Sequence, residues 1–320
     1  MNNLKKAMLY YKNVQSMRGT FPNEVLNWQL LGKFSGGLTK ILGRKITQRI
    51  CDIRHDKTRK FLKSEFKDFL SGYNFDRSES ANSKIIWSLW LQGYDSAPRI
   101  VQRTLDSIET FARSNGYQFI LLEQDSIEKY ITFPKHIKGK LSALSATAIS
   151  DLVRVCLLSE YGGVWLDSTV YIRPEFSAKH FENCFFTLKT GSISDFSPNV
   201  SKNRWKTFLL SGNSRLYTFT RDFFFEYYKK YDVQVDYLLI DYIFDLAYHL
   251  DENIRIEMDT LPQVAPRLFW LENHINSQFK IYEWENIVKD TQIFKTTYKL
   301  PKKVFKISDN YYNSLLNGQL

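Results

Sequence analysis

The sequence predicts an α/β protein: a mostly parallel central sheet flanked by helices, preceded by a helical N-terminal extension. Three observations predict it. Between residues 84 and 166, short apolar runs suited to buried strands alternate with helix-length segments, the spacing of strand–helix–strand–helix–strand units. Gly, Asn and Pro punctuate these segments at their ends. Residues 1–80 instead carry helix-compatible apolar spacing, which divides the chain into an extension (1–80) and a main domain (81–320).

In the extension, Lys5 to Val14 and Arg59 to Leu70 read as helices. In the second, Phe61, Leu62, Phe66, Phe69 and Leu70 form a stripe, with Lys60, Lys63 and Lys67 off it. Ser35-Gly36-Gly37 marks a break. Of the chain's net charge of +10, residues 1–80 hold most, with 16 Lys and Arg against 7 Asp and Glu. This fits a helical lid with a solvated basic face, or a segment lying peripherally on an anionic membrane. No recognised nucleic-acid module accompanies the charge, so nucleic acid is not an expected partner. Ser71 to Ser83 is polar and reads as a linker.

The main domain opens with Ile85 to Leu91, a β-leaning run ending at Gln92-Gly93. Pro98 stands where a helix would begin. Ile100, Val101, Leu105, Ile108 and Phe111 follow at helical spacing, and Asn115-Gly116 stops them. Tyr117 to Leu122 is a second strand, followed by a short acidic helix near Asp125 to Tyr130. Ala146 to Glu160 is a helix with Ile149, Leu152, Val153, Cys156 and Leu157 on its buried face. Gly162-Gly163 ends it, and Val164 to Leu166 is the third strand. Later, Arg221 to Tyr231 and Tyr237 to Leu250 look helical, and Thr296 to Val304 reads as a late strand or an ordered tail.

Composition sets the bounds. A chain of 320 residues, 43% of them apolar, is long enough for a sizeable core. Its 24 Phe, 19 Tyr and 7 Trp make a thick aromatic core, or supply rings that stack on a nucleobase or on sugars. The 3 cysteines are far apart, at Cys51, Cys156 and Cys184. That argues against a disulfide framework or a zinc site and for a reducing, cytoplasmic compartment. No secretory leader is recognisable, and no apolar run reaches the roughly 18 residues that a membrane-spanning helix requires.

In parallel α/β sheets, ligands bind beyond the carboxyl ends of the strands. Gln92, Glu123 and Asp167 each lie at or just past such an end. A carboxylate there either caps a turn or ligates Mg²⁺ or Mn²⁺ while a diphosphate supplies further oxygens. Thr169, two residues on, points the same way if the chain stays extended. Asp151 and Arg154, spaced i and i+3, share a helix face. They form either a plain salt bridge or, through the guanidinium fork, a holder of phosphate or sugar oxygens.

Ser150-Asp151-x-x-Arg154, then Tyr161-Gly162-Gly163-x-Trp165-x-Asp167-x-Thr169, resembles the capsular polysaccharide synthesis glycosyltransferases. These are related to a wider DXD-type group that includes outer-chain mannosyltransferases and glucosylating clostridial toxins. Lys84 to Trp87, continuing to Gly93, resembles the family's opening strand, and Asp236 to Tyr242 and Phe294 to Lys299 resemble later blocks. The likeness spans roughly residues 84–300. It implies a GT-A fold (Rossmann-like), a nucleotide-sugar donor, with a UDP-sugar expected, and a divalent metal. By position, Trp90 would stack on the nucleobase with Gln92 nearby, Asp151 and Arg154 would hold the donor sugar, and Asp167 with Thr169 would face metal and diphosphate. Lys295 and Lys299 would clamp the diphosphate. The wider group carries a second carboxylate where this chain has Thr169. Metal binding is therefore expected to be weaker, or to draw a ligand from Asp236, Asp241 or His274. Asp236 or Asp241 would also serve as acceptor base. The resemblance implies a retaining transferase that extends a polysaccharide repeat, and a lipid-linked acceptor would explain the basic N-terminal extension. The alternative is a catalytically silent sugar-binding protein on the same fold.

Overall fold

The computed structural model describes residues 3–76, 82–301, 304–305 and 307–320. The first part is helical: α1 (Asn3–Ser16), α2 (Asn23–Gly37), α3 (Thr39–Leu42), α4 (Arg44–Glu65) and α5 (Lys67–Gly72). The expected break at Ser35-Gly36-Gly37 is the end of α2. Helix α4 buries Thr47, Cys51, Arg54, His55, Thr58 and Leu62, a face recurring every three to four residues. Most of that face is polar, and it docks through paired groups. Arg54 bonds Asp236, His55 Nδ1 lies 2.8 Å from the Tyr242 hydroxyl, and Arg59 bonds Asp245. Apolar side chains add to this: Val14, Met17, Phe21, Leu26, Leu62 and Phe66 belong to the same buried cluster as the central strands. Residues 14–66 thus form a helical layer packed on residues 223–245 of the main domain, with Lys60, Lys63 and Lys67 in solvent. Part of the expected linker, residues 77–81, and with it the expected boundary at residue 80, lies outside the described residues.

The sheet domain then runs β1 (Ile85–Leu89), α6 (Arg99–Ser114), β2 (Gln118–Leu122), α7 (Lys135–Lys138), α8 (Ala146–Tyr161), β3 (Val164–Leu166), β4 (Val170–Ile172), β5 (Phe185–Thr187) and β6 (Leu209–Gly212). It continues with α9 (Arg215–Lys230), α10 (Leu239–Leu250), α11 (Glu252–Asp259), α12 (Trp270–His274), α13 (Ile281–Ile287), β7 (Ile293–Lys295) and α14 (Tyr311–Leu316). The central sheet has the order β2-β1-β3-β6-β5. Strand β1 is parallel to β2 and β3, as expected, whereas β6 is antiparallel to both β3 and β5. The sheet is therefore mixed but mostly parallel in direction: β2, β1, β3 and β5 run one way and β6 alone is reversed. A parallel pair needs a long crossover, usually a helix. None follows β3 until after β6; only a single 3₁₀ stretch, Ala178–Glu182, intervenes.

The turn from α8 into β3 explains the double glycine. Gly162 and Gly163 sit at φ +64° and +87°, and a Cβ on Gly163 would come within 2.5 Å of the Ile85 carbonyl oxygen. Helix α8 is buried nearly all round, polar Asp151 and Arg154 included, because it packs on both β3 and α9.

A second, two-stranded sheet pairs β4 antiparallel with β7, in the register Val170↔Lys295 and Ile172↔Ile293. The late strand thus lies just before the stretch Thr296–Val304, of which residues 302–303 lie outside the described residues. Among the described residues no helix is long and apolar enough to cross a membrane.

Candidate active site

Strands β1, β2 and β3 are parallel, so their carboxyl ends share one edge. Asp167 leaves β3 there in a tight turn: its amide donates to the Phe208 carbonyl (2.9 Å) and its carbonyl accepts from the Val170 amide (2.9 Å). Three hydrogen bonds from two neighbours fix that turn. Thr104 on α6 donates to the Ser168 carbonyl, and both the amide and the hydroxyl of Thr296 donate to the Thr169 carbonyl. The β4–β7 register then sets Lys295 beside Thr169.

The Asp167 carboxylate is ringed by donors. Oδ1 accepts from Trp165 Nε1 at 2.9 Å and from Arg154 Nη2 at 3.3 Å. Oδ2 accepts from Lys295 Nζ at 3.2 Å, and the same ammonium donates to Thr169 Oγ1 at 2.5 Å. Burial pushes the Asp167 carboxyl up, but Lys295 and Arg154, with the Trp165 N–H, outweigh it and hold it below the ordinary carboxylate range.

Arg154 is only 3% exposed, as is Asp151 one turn earlier. Its guanidinium donates to the Thr207 carbonyl (2.6 Å) and to Ser150 Oγ (3.0 Å), and lies 5.2 Å from the Trp165 ring centre. Burial pushes Asp151 up to about 7; Arg154 opposes this, while Asp241 and Asp167 add to it. Asp241 is likewise raised, to about 6, by burial, against its hydrogen bond from Trp205 Nε1 and the nearby Lys206 and Arg154. Burial lowers Lys206, which Asp241 partly offsets. Cationic and carboxyl groups alternate across the site: Lys295, Asp167, Arg154, Asp151.

The structure thus brings together Asp151, Arg154, Asp167, Thr169 and Lys295, with Asp241 close by. Asp236 is held elsewhere: it is ion-paired with Arg54 and caps the Leu238 amide (2.9 Å). Trp90 follows β1 and meets Tyr298 edge to face at 5.4 Å, and its Nε1 is buried without a hydrogen-bond partner among the described residues. Gln92 and Glu123 are exposed on the same edge. Lys299 is exposed, its ammonium 5.6 Å from the Tyr298 ring centre. His274 stacks on Trp270 and bonds the Trp270 carbonyl at its Nδ1 (2.8 Å). No hydrogen bond or ion pair among the described residues links it to Asp167.

The residues present do not fit a resident divalent cation. Asp167 is the single carboxylate at the β3 turn, and the cation already lodged between it and Thr169 is the Lys295 ammonium. Among the described residues no group of three or more His, Cys, Asp and Glu is arranged to hold a metal.

Sequence reasoning missed Trp165 as a donor to Asp167, and missed Trp205, Lys206, Thr207 and Phe208 altogether. Trp165 lies within the recognised motif, so alternation along β3 carried a signal. The segment before β6 shows no periodicity, and Thr207 acts through a carbonyl that any residue carries. Near the N-terminal end of α8, a cavity of about 1010 Å³ opens between α1, α2 and residues 230–238. Ser145, which caps α8, and Ala148 on it line the cavity, together with Tyr10, Gln29 and Tyr237.

Residues 39–315 match the family described as capsular polysaccharide synthesis protein. The match begins within the N-terminal helices, well before the motif likeness at Lys84. Among solved structures, the chain is similar to a glycosyltransferase involved in the glycosylation of the major capsid of PBCV-1. The identity is 11%, 69% of this chain and 97% of that chain are covered, and the TM-score is 0.34. No curated protein matches the chain.

Proposed function

The chain belongs to the capsular polysaccharide synthesis protein family, and from that premise we propose that it is a glycosyltransferase using a nucleoside-diphosphate sugar, with a UDP-sugar as donor. The observation that carries the reading is the pair of cations, Lys295 and Arg154, fixed on the two oxygens of Asp167 at the carboxyl end of β3. Positive groups held there are aimed where negative charge develops as a diphosphate departs. Trp90 offers a ring face to the base. Asp151 and Arg154 hold donor-sugar hydroxyls. The bond from the anomeric carbon to the diphosphate breaks with its electron pair on the phosphate oxygen. The acceptor hydroxyl oxygen forms the new bond on the same face, and its proton passes to the released diphosphate. Configuration is retained, and no protein base is required. The cavity beside α8 receives the acceptor glycan, its Tyr and Gln side chains suiting sugar faces and hydroxyls.

The acceptor is lipid-linked, and the extension holds the enzyme at an anionic membrane surface. Leu31, Phe34, Leu38 and Ile41 are 40–80% exposed, and their spacing from α2 into α3 repeats by three and four residues. Exposed Lys33, Lys40, Arg44 and Lys45 surround them. Each basic residue near an anionic leaflet contributes roughly 1 kcal/mol. Flotation with phosphatidylglycerol vesicles is expected to carry the protein, and Ile41→Glu to release it. Equal partitioning onto neutral vesicles would remove this part of the reading.

The central test is a panel of nucleotide sugars in a thermal-shift and transfer assay. A donor at about a hundred times its Kd stabilises the folded state by about 2.7 kcal/mol. If no nucleotide sugar shifts the melting point and none is turned over, the enzyme reading fails.

A further inference from the structure

We propose that Lys295 takes the place of the divalent cation, so that this protein binds its nucleoside diphosphate and transfers sugar without metal. The proposal rests on the glycosyltransferase reading above.

Three observations carry it. The first is position. Lys295 Nζ sits between Asp167 Oδ2 (3.2 Å) and Thr169 Oγ1 (2.5 Å), the two side chains best placed after β3 to ligate an ion. The second is rigidity. The pairing Val170↔Lys295, with the Thr296 amide and hydroxyl on the Thr169 carbonyl, fixes the backbone that carries the ammonium. The side chain is only 18% exposed and lies 4.7 Å from the Phe208 ring centre, so its stem has little room to swing aside. The third is charge. With Thr169 neutral, the turn presents one negative charge, which one ammonium balances. A divalent ion entering here would have to expel Lys295 and would then face Arg154, 3.3 Å from the same carboxylate.

An ammonium has three N–H donors. Asp167 and Thr169 take two. The third is left for a phosphate oxygen of the departing diphosphate, a charge-assisted bond that strengthens as the leaving group gains charge. Asp167 then positions Lys295 rather than a metal. Arg154, already paired with Asp167, adds a second positive charge nearby. In the transfer step, the electron pair released to the phosphate oxygen is stabilised by these side chains, and no co-reactant is added.

Calorimetric titration of UDP into the wild-type protein, in EDTA and then in Mn²⁺, tests the proposal. The expected affinity is the same within about twofold in the two conditions, less than 0.5 kcal/mol. Lys295→Met keeps the apolar stem but removes the charge, and is expected to weaken UDP binding in EDTA by about ten- to hundredfold. Its melting temperature reports separately whether it folds, and the wild-type comparison needs no variant. UDP binding or sugar transfer that is abolished by EDTA and restored by Mn²⁺ overturns the inference and leaves the transferase reading standing. If neither UDP nor any other nucleoside diphosphate binds under either condition, the transferase reading falls and this inference with it.

Discussion

The guanidinium of Arg154 stands 3.3 Å from an oxygen of Asp151 and 3.3 Å from an oxygen of Asp167, tying the helix before β3 to the turn after it. It also donates to the Thr207 carbonyl, on the segment leading into β6. Arg154→Ala leaves two carboxyl groups without that partner, and breaking a buried pair costs about 3–5 kcal/mol. Arg154→Lys keeps the charge but not the fork, so it cannot serve Asp151, Asp167 and Thr207 together. The expected outcome is a folded Lys variant with transfer reduced by about a hundredfold, the scale for losing one preorganised donor. Urea denaturation and initial rates check the two effects separately. A Lys variant with wild-type rates would show that the fork geometry is dispensable.

Asp151 makes stability depend on pH. Its carboxyl is pushed up to about 7 from 3.8 by burial, with Asp241 and Asp167 reinforcing this and Arg154 opposing. The folded state therefore keeps a proton that the unfolded chain releases. The stability this contributes is complete below about pH 4 and is lost as pH rises to about 7. Asp151→Asn removes the dependence, so the variant gains on the wild type between about pH 5 and about pH 8. His55, pushed down to about 4 by burial, acts in the opposite sense, but equally in both proteins. Denaturant midpoints at the two pH values measure the difference. A gap that does not change with pH would mean that Asp151 is ionised throughout.

The first half of the sheet was legible because its signals are local. Apolar runs at β1, β2 and β3 are bracketed by Pro98, Asn115-Gly116 and Gly162-Gly163. The second half was not. Strands β5 and β6 have three and four residues, too few for a periodicity to register, and their antiparallel pairing depends on connections rather than composition. Helix α4 was read only from Arg59 onward because its earlier buried face is Thr47, Arg54, His55 and Thr58, which no hydrophobic pattern detects. In the site, Asp151, Arg154 and Asp167 come from one helix–turn–strand unit and were visible together. Lys295 was visible only as a diphosphate clamp, since its seat between Asp167 and Thr169 follows from the β4–β7 register. Asp236 looked like a site carboxylate because its partner, Arg54, is 182 residues away in sequence.

Trp90 separates stacking from hydrogen bonding. Its ring meets Tyr298 at 5.4 Å and its Nε1 lacks a hydrogen-bond partner among the described residues. Stacking a base on an aromatic side chain contributes about 1–3 kcal/mol. Trp90→Ala is expected to raise the KM for the donor at least about fivefold, with kcat little changed. Trp90→Phe keeps a ring and is expected to fall between. UDP titration on both variants checks the order. Equal affinity in wild type and Trp90→Ala would place the base elsewhere.

The Arg54–Asp236 pair tests whether the N-terminal helices are part of the folding unit. Asp236 has a side chain 2% exposed and Arg54 one 11% exposed, so the pair is almost fully desolvated. Burial alone would lower the pKa of Arg54, but Asp236 and the hydroxyls of Tyr242 and Tyr10 overcome this, so the guanidinium stays charged. Asp236→Asn keeps the cap on the Leu238 amide but leaves that charge without a counter-ion, at a cost of about 3–5 kcal/mol. Adding Arg54→Met removes the stranded charge while keeping an apolar stem. The double variant is expected to recover most of the loss, since a buried pair and a well-packed apolar substitute are often close in stability. Denaturant unfolding of wild type, both single variants and the double variant gives the coupling directly. Additive effects would mean that the two residues do not share a buried contact and that residues 14–66 are docked by other means.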